Sequence, residues 1–356
     1  MKMKKILSIL LISVLLFGLV ACGNNQEAPP PAPAPSPADS GETQGDVSED
    51  PHVTLVFHEV NPIDSIHGQL AVVFTQRIEY LSGGSISINL QAGGVLGPDD
   101  QVLDAMIGGA GTVDMARVAA FAFNPFGARY NALLSIPFTF DGREHFWDFA
   151  RSDLATEFLA ETLEMGMGIR GLFYGEEGFR HFFTRDPISG IEDFAGRQLR
   201  VPVDPVMVGM VEGMGASAVV IPFTELYTAL QTGVVDGAEQ PITAYEMNAF
   251  PEVAPYLILN GHTVGVVKYI IAEDTWQRLT PNQQRVIMEA AAYTQDWNQQ
   301  TTSQADAESL ERLQAAGVTV VEVPDRQPWI DAASAVIAEH SANAPEAFQQ
   351  IRAMAR

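Results

Sequence analysis

Two arginines with apolar and aromatic neighbours are the side chains in this sequence best suited to hold a ligand. Arg200 lies in Gln-Leu-Arg-Val-Pro, at the end of a predicted strand, and Arg180 lies in Gly-Phe-Arg-His-Phe-Phe. A guanidinium offers a planar fork of N–H groups that grips a carboxylate at two points. In α/β sheets, ligands bind beyond the carboxyl ends of the strands. Arg200 therefore predicts a carboxylate clamp, with a structural salt bridge to one of the chain's many acids as the alternative.

Motifs typical of enzymes and metal sites are absent from the sequence. It has no Gly-x-Ser-x-Gly, no Walker A loop and no His-Glu-x-x-His, its seven histidines are dispersed, and Cys22 is its one cysteine. Gly166 to Gly171 satisfies Gly-x-Gly-x-x-Gly, but a dinucleotide site needs a strand before the glycines and a helix after them, and here the order is reversed. Glu176 and Glu177 are interpreted as part of a solvated polar turn. We therefore expect no catalytic residue, no metal and no cofactor.

Composition indicates a folded and strongly acidic protein. The chain has 356 residues, of which 47% are hydrophobic, and this length suits about two domains with full cores. Its 44 acidic and 20 basic residues give a net charge of −24. Nucleic acid would be repelled by such a charge and is not expected as a partner. Sixteen of the basic residues are arginines, a bias that genome composition or habitat explains as well as function does.

The first 22 residues predict export and lipid attachment. Three lysines precede an apolar run, residues 6–20, that is short for a transmembrane helix and fits a secretory signal peptide. The run ends in Leu-Val-Ala-Cys, which resembles a bacterial lipobox and implies that Cys22 becomes the lipid-modified N-terminus after removal of residues 1–21. The alternative is an ordinary signal peptide with an isolated cysteine. Residues 22–50, rich in proline and acids, are expected to form a disordered tether on the outer face of the cytoplasmic membrane, or in the periplasm.

Periodicity in the remaining residues predicts strands that alternate with helices. Strands are predicted at residues 53–58, 85–90, 113–118, 169–174, 179–184, 198–201, 219–221 and 318–323. A long helical segment is predicted over residues 144–165, and one or two long helices over 282–316. Thr224 is predicted as the N-cap of a helix that Gly233 ends. This alternation favours an α/β fold with a largely parallel sheet.

The run from Pro222 to Pro241 identifies a family. It reads Pro-Phe-Thr-Glu-Leu-Tyr-Thr-Ala-Leu-Gln-Thr-Gly-Val-Val-Asp-Gly-Ala-Glu-Gln-Pro and closely resembles the signature of the solute-binding proteins of tripartite ATP-independent periplasmic (TRAP) transporters, the C4-dicarboxylate-binding (DctP-like) family. Asp193-Phe-Ala-Gly-Arg-Gln-Leu-Arg-Val and Ile136-Pro-Phe-Thr-Phe are weaker matches in the family's order.

The resemblance implies the two-domain fold of periplasmic binding proteins, with mixed or parallel sheets flanked by helices and a ligand cleft between the domains. On this basis residues 51–177 plus 265–305 are assigned to domain I, and residues 178–264 plus 306–356 to domain II. The resemblance also implies an arginine that binds the carboxylate of the ligand, and this family position falls on Arg200.

The other expected ligand-binding residues follow from the same resemblance, with one exception. A second arginine used in parts of the family falls on Arg180, and the aromatic residue before the capped helix falls on Phe223. Gln240 stands where the family often has asparagine. Arg117 lies outside the general pattern of the family. It would contact a second carboxylate of the ligand or pair with an acid of the chain, and both interpretations stay open.

The predicted function is that of an extracytoplasmic lipoprotein that captures a small organic carboxylate, a C4-dicarboxylate being one candidate. Hinge closure would trap the ligand, which would then be delivered to the TRAP membrane subunits. A sensory system with the same fold, a secreted α/β enzyme and a surface lipoprotein without ligand are the alternatives.

Overall fold

The computed structural model describes residues 49–356. The predicted signal peptide, Cys22 and most of the tether lie outside these residues. The first elements alternate between strand and helix, and the strands of this segment pair with one another in parallel. They are β1 (Val53–Glu59), α1 (Ile66–Leu81), β2 (Ile86–Gln91), α2 (Asp99–Ile107) and β3 (Met115–Ala119). The predicted strand and helix pattern of this segment is confirmed.

Three helices, α3 (Arg129–Ser135), α4 (Arg143–Ala150) and α5 (Asp153–Glu164), follow β3. The prediction of one helical segment over residues 144–165 was wrong, because the chain leaves the helical conformation at Arg151 and Ser152. The hydroxyl of Ser152 accepts a hydrogen bond from the Ala155 N–H at 3.2 Å and so caps α5.

Two long antiparallel strands, β4 (Ile169–Thr184) and β8 (Tyr256–Ala272), run through the middle of the sheet. The sequence predicted two strands with a polar turn in place of β4. The structure instead has one strand with a bulge between Glu176 and Phe179, where Gly178 adopts a φ of 97°. A bulge accommodates extra residues without ending a strand. β8 was not predicted.

Shorter elements complete the sheet. They are β5 (Gln198–Val201), α6 (Pro205–Gly213), β6 (Ser217–Val220), α7 (Leu226–Thr232), β7 (Gly237–Pro241) and β9 (Thr319–Glu322). β5 lies parallel to both β6 and β7, and β7 lies antiparallel to β4. Among the described residues the strand order is β2-β1-β3-β8-β4-β7-β5-β6, with β9 beside β8. The α/β fold class is therefore confirmed, as a mixed sheet flanked by helices.

The start of α7 differs from the prediction, whereas its end agrees with it. A short 3₁₀ turn, Phe223–Glu225, precedes α7, and Glu225 occupies the N-cap position. Thr224 as N-cap was therefore wrong. Gly233 ends the helix in the left-handed conformation, with φ 74°, which glycine adopts at little cost.

The remaining helices are α8 (Ile242–Met247), α9 (Glu273–Arg278), α10 (Pro281–Ala315), α11 (Gln327–Ser341) and α12 (Pro345–Ala353). α10 is a single helix of 35 residues that begins with a capping box of Thr280 and Gln283. It packs against α1 near its start and against β4 and α8 further along. No helix in the stretch from residue 49 onward is long and apolar enough to cross a membrane.

Lys268, on β8, is a buried lysine in the core of the sheet. Its ammonium Nζ lies 3.2 Å from Thr162 Oγ1 and 4.9 Å from the centre of the Phe123 ring. Burial lowers the pKa of Lys268 to about 7, because the charged form loses its hydration. It has no salt bridge with any residue in the range 49–356.

Candidate functional site

All five residues predicted from the sequence to bind ligand line one cavity of about 350 Å³. They come from separate elements: Arg117 from β3, Arg180 from β4, Arg200 from β5, Phe223 from the turn before α7, and Gln240 from β7. Arg200 is the third residue of a four-residue strand, so its guanidinium lies at the carboxyl end of β5. The cavity is at the small end of the range for ligand sites, which is about 300–1,000 Å³.

Arg200 is almost fully buried, yet it pairs with no carboxylate of residues 49–356. Its side chain is 2% exposed, and its one hydrogen bond runs from Nε to the carbonyl oxygen of Ile221 at 2.7 Å. Burial lowers the pKa of Arg200 to about 10, with the nearby Glu239 opposing the shift. The guanidinium is thus charged at neutral pH, and its two terminal nitrogens have no hydrogen-bond partner among the described residues. The structure therefore does not contain the salt bridge between Arg200 and an acid that the sequence analysis gave as the alternative to a carboxylate clamp.

Arg180 also lines the cavity, but a carboxylate already holds it. Its Nη2 donates to Glu239 Oε1 at 2.8 Å, and its Nε donates to Oε2. Burial alone would lower the pKa of Arg180, but the neighbouring carboxylates, chiefly Glu239, raise it. The same pairing lowers the pKa of Glu239 to about 2, against the desolvation that favours its protonated form. Both side chains stay charged, and their charges cancel locally.

Arg117 pairs with acids of the chain, one of the two interpretations left open by the sequence. Its Nη1 lies 3.1 Å from Glu59 Oε2, and its Nη2 lies 2.7 Å from Glu177 Oε1. Glu59 is the register partner of Arg117 on the neighbouring strand β1, which explains this contact. Burial opposes the charge of Arg117, but the two carboxylates outweigh it and raise the pKa. Arg117 is therefore a neutralised wall residue of the cavity.

The interpretation of Glu176 and Glu177 as a solvated turn was wrong. Both lie within β4, and they are 0% and 8% exposed. Glu176 accepts hydrogen bonds from Arg143 at 2.6 Å and from Trp147 Nε1 at 3.2 Å. Charged side chains are tolerated at such a position only when partners satisfy them, and here those partners come from distant parts of the chain.

Gln240 and Phe223 contribute neutral surface. Gln240 is 5% exposed, and its side-chain amide has no hydrogen-bond partner within residues 49–356. It therefore retains donor and acceptor capacity next to Arg180. The Phe223 ring packs edge-on against Phe250, with 6.2 Å between ring centres, which fixes one apolar wall.

Sequence reasoning missed the acidic side of the cavity. Asp99, Asp100 and Asp104, at and near the start of α2, line it together with Glu177. Asp99 contacts His58 Nε2 at 3.2 Å, whereas the carboxylates of Asp100 and Asp104 make no hydrogen bond to the described residues. The Pro-Asp-Asp start of α2 signals a helix N-terminus but not that its acids face a cavity. Glu239 was likewise missed, although it directly precedes Gln240.

Comparisons with known proteins show the family and the fold of this chain. Residues 57–343 match the sequence model of a family described as bacterial extracellular solute-binding protein, family 7. The solute-binding protein RD1_1052 of Roseobacter denitrificans is 30% identical over 76% of this chain and 82% of its own.

Solved structures with the same fold include two that exceed 25% identity. A TRAP periplasmic solute-binding protein of Pseudomonas putida F1, with bound D-glucuronate, superposes with a TM-score of 0.81 and 28% identity, over 85% of this chain and 97% of its own. The sugar-acid-binding protein DctPAm of Advenella mimigardefordensis, in complex with galactonate, gives a TM-score of 0.81 and 26% identity, over 87% and 98%. The chain therefore belongs to family 7 of the bacterial extracellular solute-binding proteins, and it is a solute-binding protein of the TRAP type.

Proposed function

We propose that this protein captures a small organic acid outside the cytoplasmic membrane and passes it to the membrane subunits of a TRAP transporter. The observation that carries the proposal is Arg200, a buried and charged guanidinium that lines the cavity without a carboxylate partner. A carboxylate ligand would supply the missing counter-charge and accept two parallel hydrogen bonds.

We further propose that the ligand is a hydroxylated monocarboxylate and not a C4-dicarboxylate. Arg117 and Arg180 are already neutralised by Glu59, Glu177 and Glu239, which leaves one free clamp. A second carboxylate of the ligand would lie in a cavity that four acids also line, and like charges in a desolvated site repel. Ligand hydroxyls would instead donate hydrogen bonds to Asp100 and Asp104. D-glucuronate and galactonate, bound by the two solved relatives, have this chemistry.

Closure of two lobes supplies the rest of the binding energy. One arginine–carboxylate contact contributes about 1.5–3 kcal/mol, whereas micromolar affinity needs about 8 kcal/mol. We place the lobes at residues 51–177 plus 265–305 and 178–264 plus 306–356, joined through β4 and β8. Gly178 and Gly261, with φ of 97° and 51°, lie in these two strands and support a hinge there.

Calorimetry with D-glucuronate, galactonate and succinate tests the proposal. Saturable binding of one or both sugar acids, with little or no binding of succinate, is expected. Tight binding of succinate alone would refute the monocarboxylate assignment, and a lack of binding across a wider panel of small acids would refute acid capture. Recovery of the ligand unchanged after incubation would argue against a secreted enzyme. Uptake into vesicles that contain the membrane subunits would separate transport from sensing.

We propose that Cys22 is lipidated and holds the protein at the outer face of the membrane. The lipobox-like Leu-Val-Ala-Cys after the apolar run supports this. One acyl chain binds membranes weakly, whereas several bind firmly. Wild-type protein should fractionate with membranes, and Cys22→Ser should move to the soluble fraction or retain its leader. Membrane release of the wild type on washing would contradict the anchor.

A further inference from the structure

A second cavity, of about 380 Å³, lies on the other face of β4. The side chain of Arg180 lines the first cavity, and those of its neighbours Phe179 and His181 line the second. This is the alternation expected of a strand. β8 contributes Asn260 and Gly261 to the same wall. We call this space the rear cavity.

Unpaired hydrogen-bond donors converge on the rear cavity. Nδ1 of His181 accepts the N–H of Gly261 at 3.0 Å, so the neutral ring carries its proton on Nε2, which has no partner in the described part of the chain. Burial lowers the pKa of His181 to about 3, which keeps the ring neutral. Asn260 is fully buried, and its Nδ2 has no partner among residues 49–356 either.

Arg326 brings a positive charge that has no direct ion pair within residues 49–356, although Asp141 acts on it from a longer distance. Its Nη2 donates to the Gly261 carbonyl oxygen, its Nε is buried without a partner, and it has no salt bridge with any carboxylate of the described chain. The rings of Phe138 and Phe179 lie 5.1 and 6.0 Å from its Cζ and fix the guanidinium plane.

The acids at this cavity pair with other arginines, although Oδ1 of Asp306 has no partner within residues 49–356. Arg143 donates to both Asp306 and Glu176, and Asp141 accepts from Arg352 at 2.7 Å. Of the two arginines in this lining, Arg326 is therefore the one without a direct ion pair in the described part of the chain. The rest of the lining is apolar on one side, where Ile242, Leu259, Ala307 and Leu310 lie.

We propose that the rear cavity binds a second ligand, a small carboxylate with an apolar body. Its carboxylate accepts hydrogen bonds from Arg326 and from Nε2 of His181, and its apolar part packs on Leu259 and Leu310. This site differs in chemistry from the Arg200 cavity, where acids favour a hydroxylated ligand. It does not depend on the function proposed above.

Benzoate is a suitable probe, measured by calorimetry with the full chain. Wild type should bind it saturably, and Arg326→Gln should weaken binding about 10- to 100-fold, the share of one arginine–carboxylate contact. Arg200→Ala, which disables the first cavity, should leave benzoate binding unchanged. Arg285→Gln is the matched control, because Arg285 lies on α10 and pairs with Glu289, outside both cavities.

Three results would overturn the proposal. The first is that the wild type shows no saturable binding of benzoate. The second is that Arg200→Ala loses benzoate binding while Arg326→Gln retains it. The third is that Arg285→Gln weakens benzoate binding as much as Arg326→Gln does. Circular dichroism checks that each variant is folded. If Arg326→Gln does not fold, His181→Phe removes the Nε2 donor while keeping an aromatic ring, and it should weaken benzoate binding without affecting D-glucuronate.

Discussion

Arg180 and Glu239 form a buried, two-pronged ion pair across the antiparallel strands β4 and β7, with Arg180 Nη2 2.8 Å from Glu239 Oε1. Arg180 lines the same cavity as Arg200, whose two terminal nitrogens have no carboxylate partner among the described residues. Two arginines of similar burial thus have different roles: one is neutralised by the chain, and the other is available to a ligand.

Arg200→Ala should abolish measurable binding of the acid ligand while the protein stays folded. The residue donates a single hydrogen bond to Ile221, so little else depends on it. Arg200→Lys should also bind poorly, since an ammonium cannot make two parallel contacts. Titration calorimetry measures the affinities.

Arg197→Ala is the control for the Arg200 variants. Arg197 lies three residues earlier and donates to the carbonyl oxygens of Asp193 and Pro187, away from the cavity lining. Its loss should leave affinity within about twofold of the wild type, because surface contacts contribute little. Unchanged affinity in Arg200→Ala would refute the clamp.

Glu239→Gln should lower the free energy of unfolding by about 3–5 kcal/mol, because Arg180 then stays buried without its two-pronged partner and keeps only Glu177, whose Oε2 lies 3.9 Å from its Nη1. Urea denaturation without ligand measures this. Replacing both residues by apolar ones should cost less than Glu239→Gln alone. A double variant that is less stable than the single one would contradict this reasoning.

Glu239 should also make the free energy of unfolding depend on pH in acid. Its pKa is about 2 in the folded chain, below its usual 4.5, so the unfolded chain binds its proton first. The stabilisation is present above pH 4.5 and is lost as the pH falls from there towards 2. In Glu239→Gln this part of the acid slope should be missing from the denaturation curves. An unchanged slope would mean that other carboxylates account for it.

Lys268 should make the protein more stable in mild alkali. Its pKa is about 7 folded and 10.5 unfolded, so between these values the unfolded chain holds one more proton. The free energy of unfolding should therefore rise by roughly 1 kcal/mol per pH unit from pH 7 to 10. Lys268→Met should be stable at pH 7 and show no such rise. A slope shared by both proteins would disprove the assignment.

Gly178→Ala should destabilise the protein much more than Gly196→Ala. Both glycines have a left-handed φ, of 97° and 80°, and that conformation alone costs about 1–2 kcal/mol with a side chain. At Gly178 an added Cβ would also collide with the carboxylate of Asp306, whereas at Gly196 nothing lies within 4 Å. Urea denaturation compares the two variants. Equal losses would show that Asp306 moves aside freely.

The sequence was informative where signals are local. Arg200 and Arg180 stood out because apolar and aromatic neighbours surround them, and the end of α7 at Gly233 follows from capping chemistry. It was uninformative where burial depends on distant partners. From the sequence alone Glu176 was interpreted as solvated, but its carboxylate is buried and accepts hydrogen bonds from Arg143 and Trp147, about 30 residues earlier.

Strand β8 escaped prediction for a related reason. Nearly all of its residues are buried, so it lacks the alternation of polar and apolar residues that marks a half-exposed strand. Asn260, His262 and Lys268 interrupt its apolar run. His262 and Lys268 are accommodated by Glu239 and Thr162, which are distant in sequence and which a local pattern cannot show.

Because the amine of Lys268 is buried, residues 49–356 should react little with amine-directed reagents while they are folded. Within residues 49–356 it is the one lysine, and it is 0% exposed. Acylating dyes and cross-linkers should therefore modify this part of the chain only when the sheet opens. Mass spectrometry of the modified peptide would then count opening events directly, which turns a residue with no part in ligand capture into a built-in reporter of unfolding.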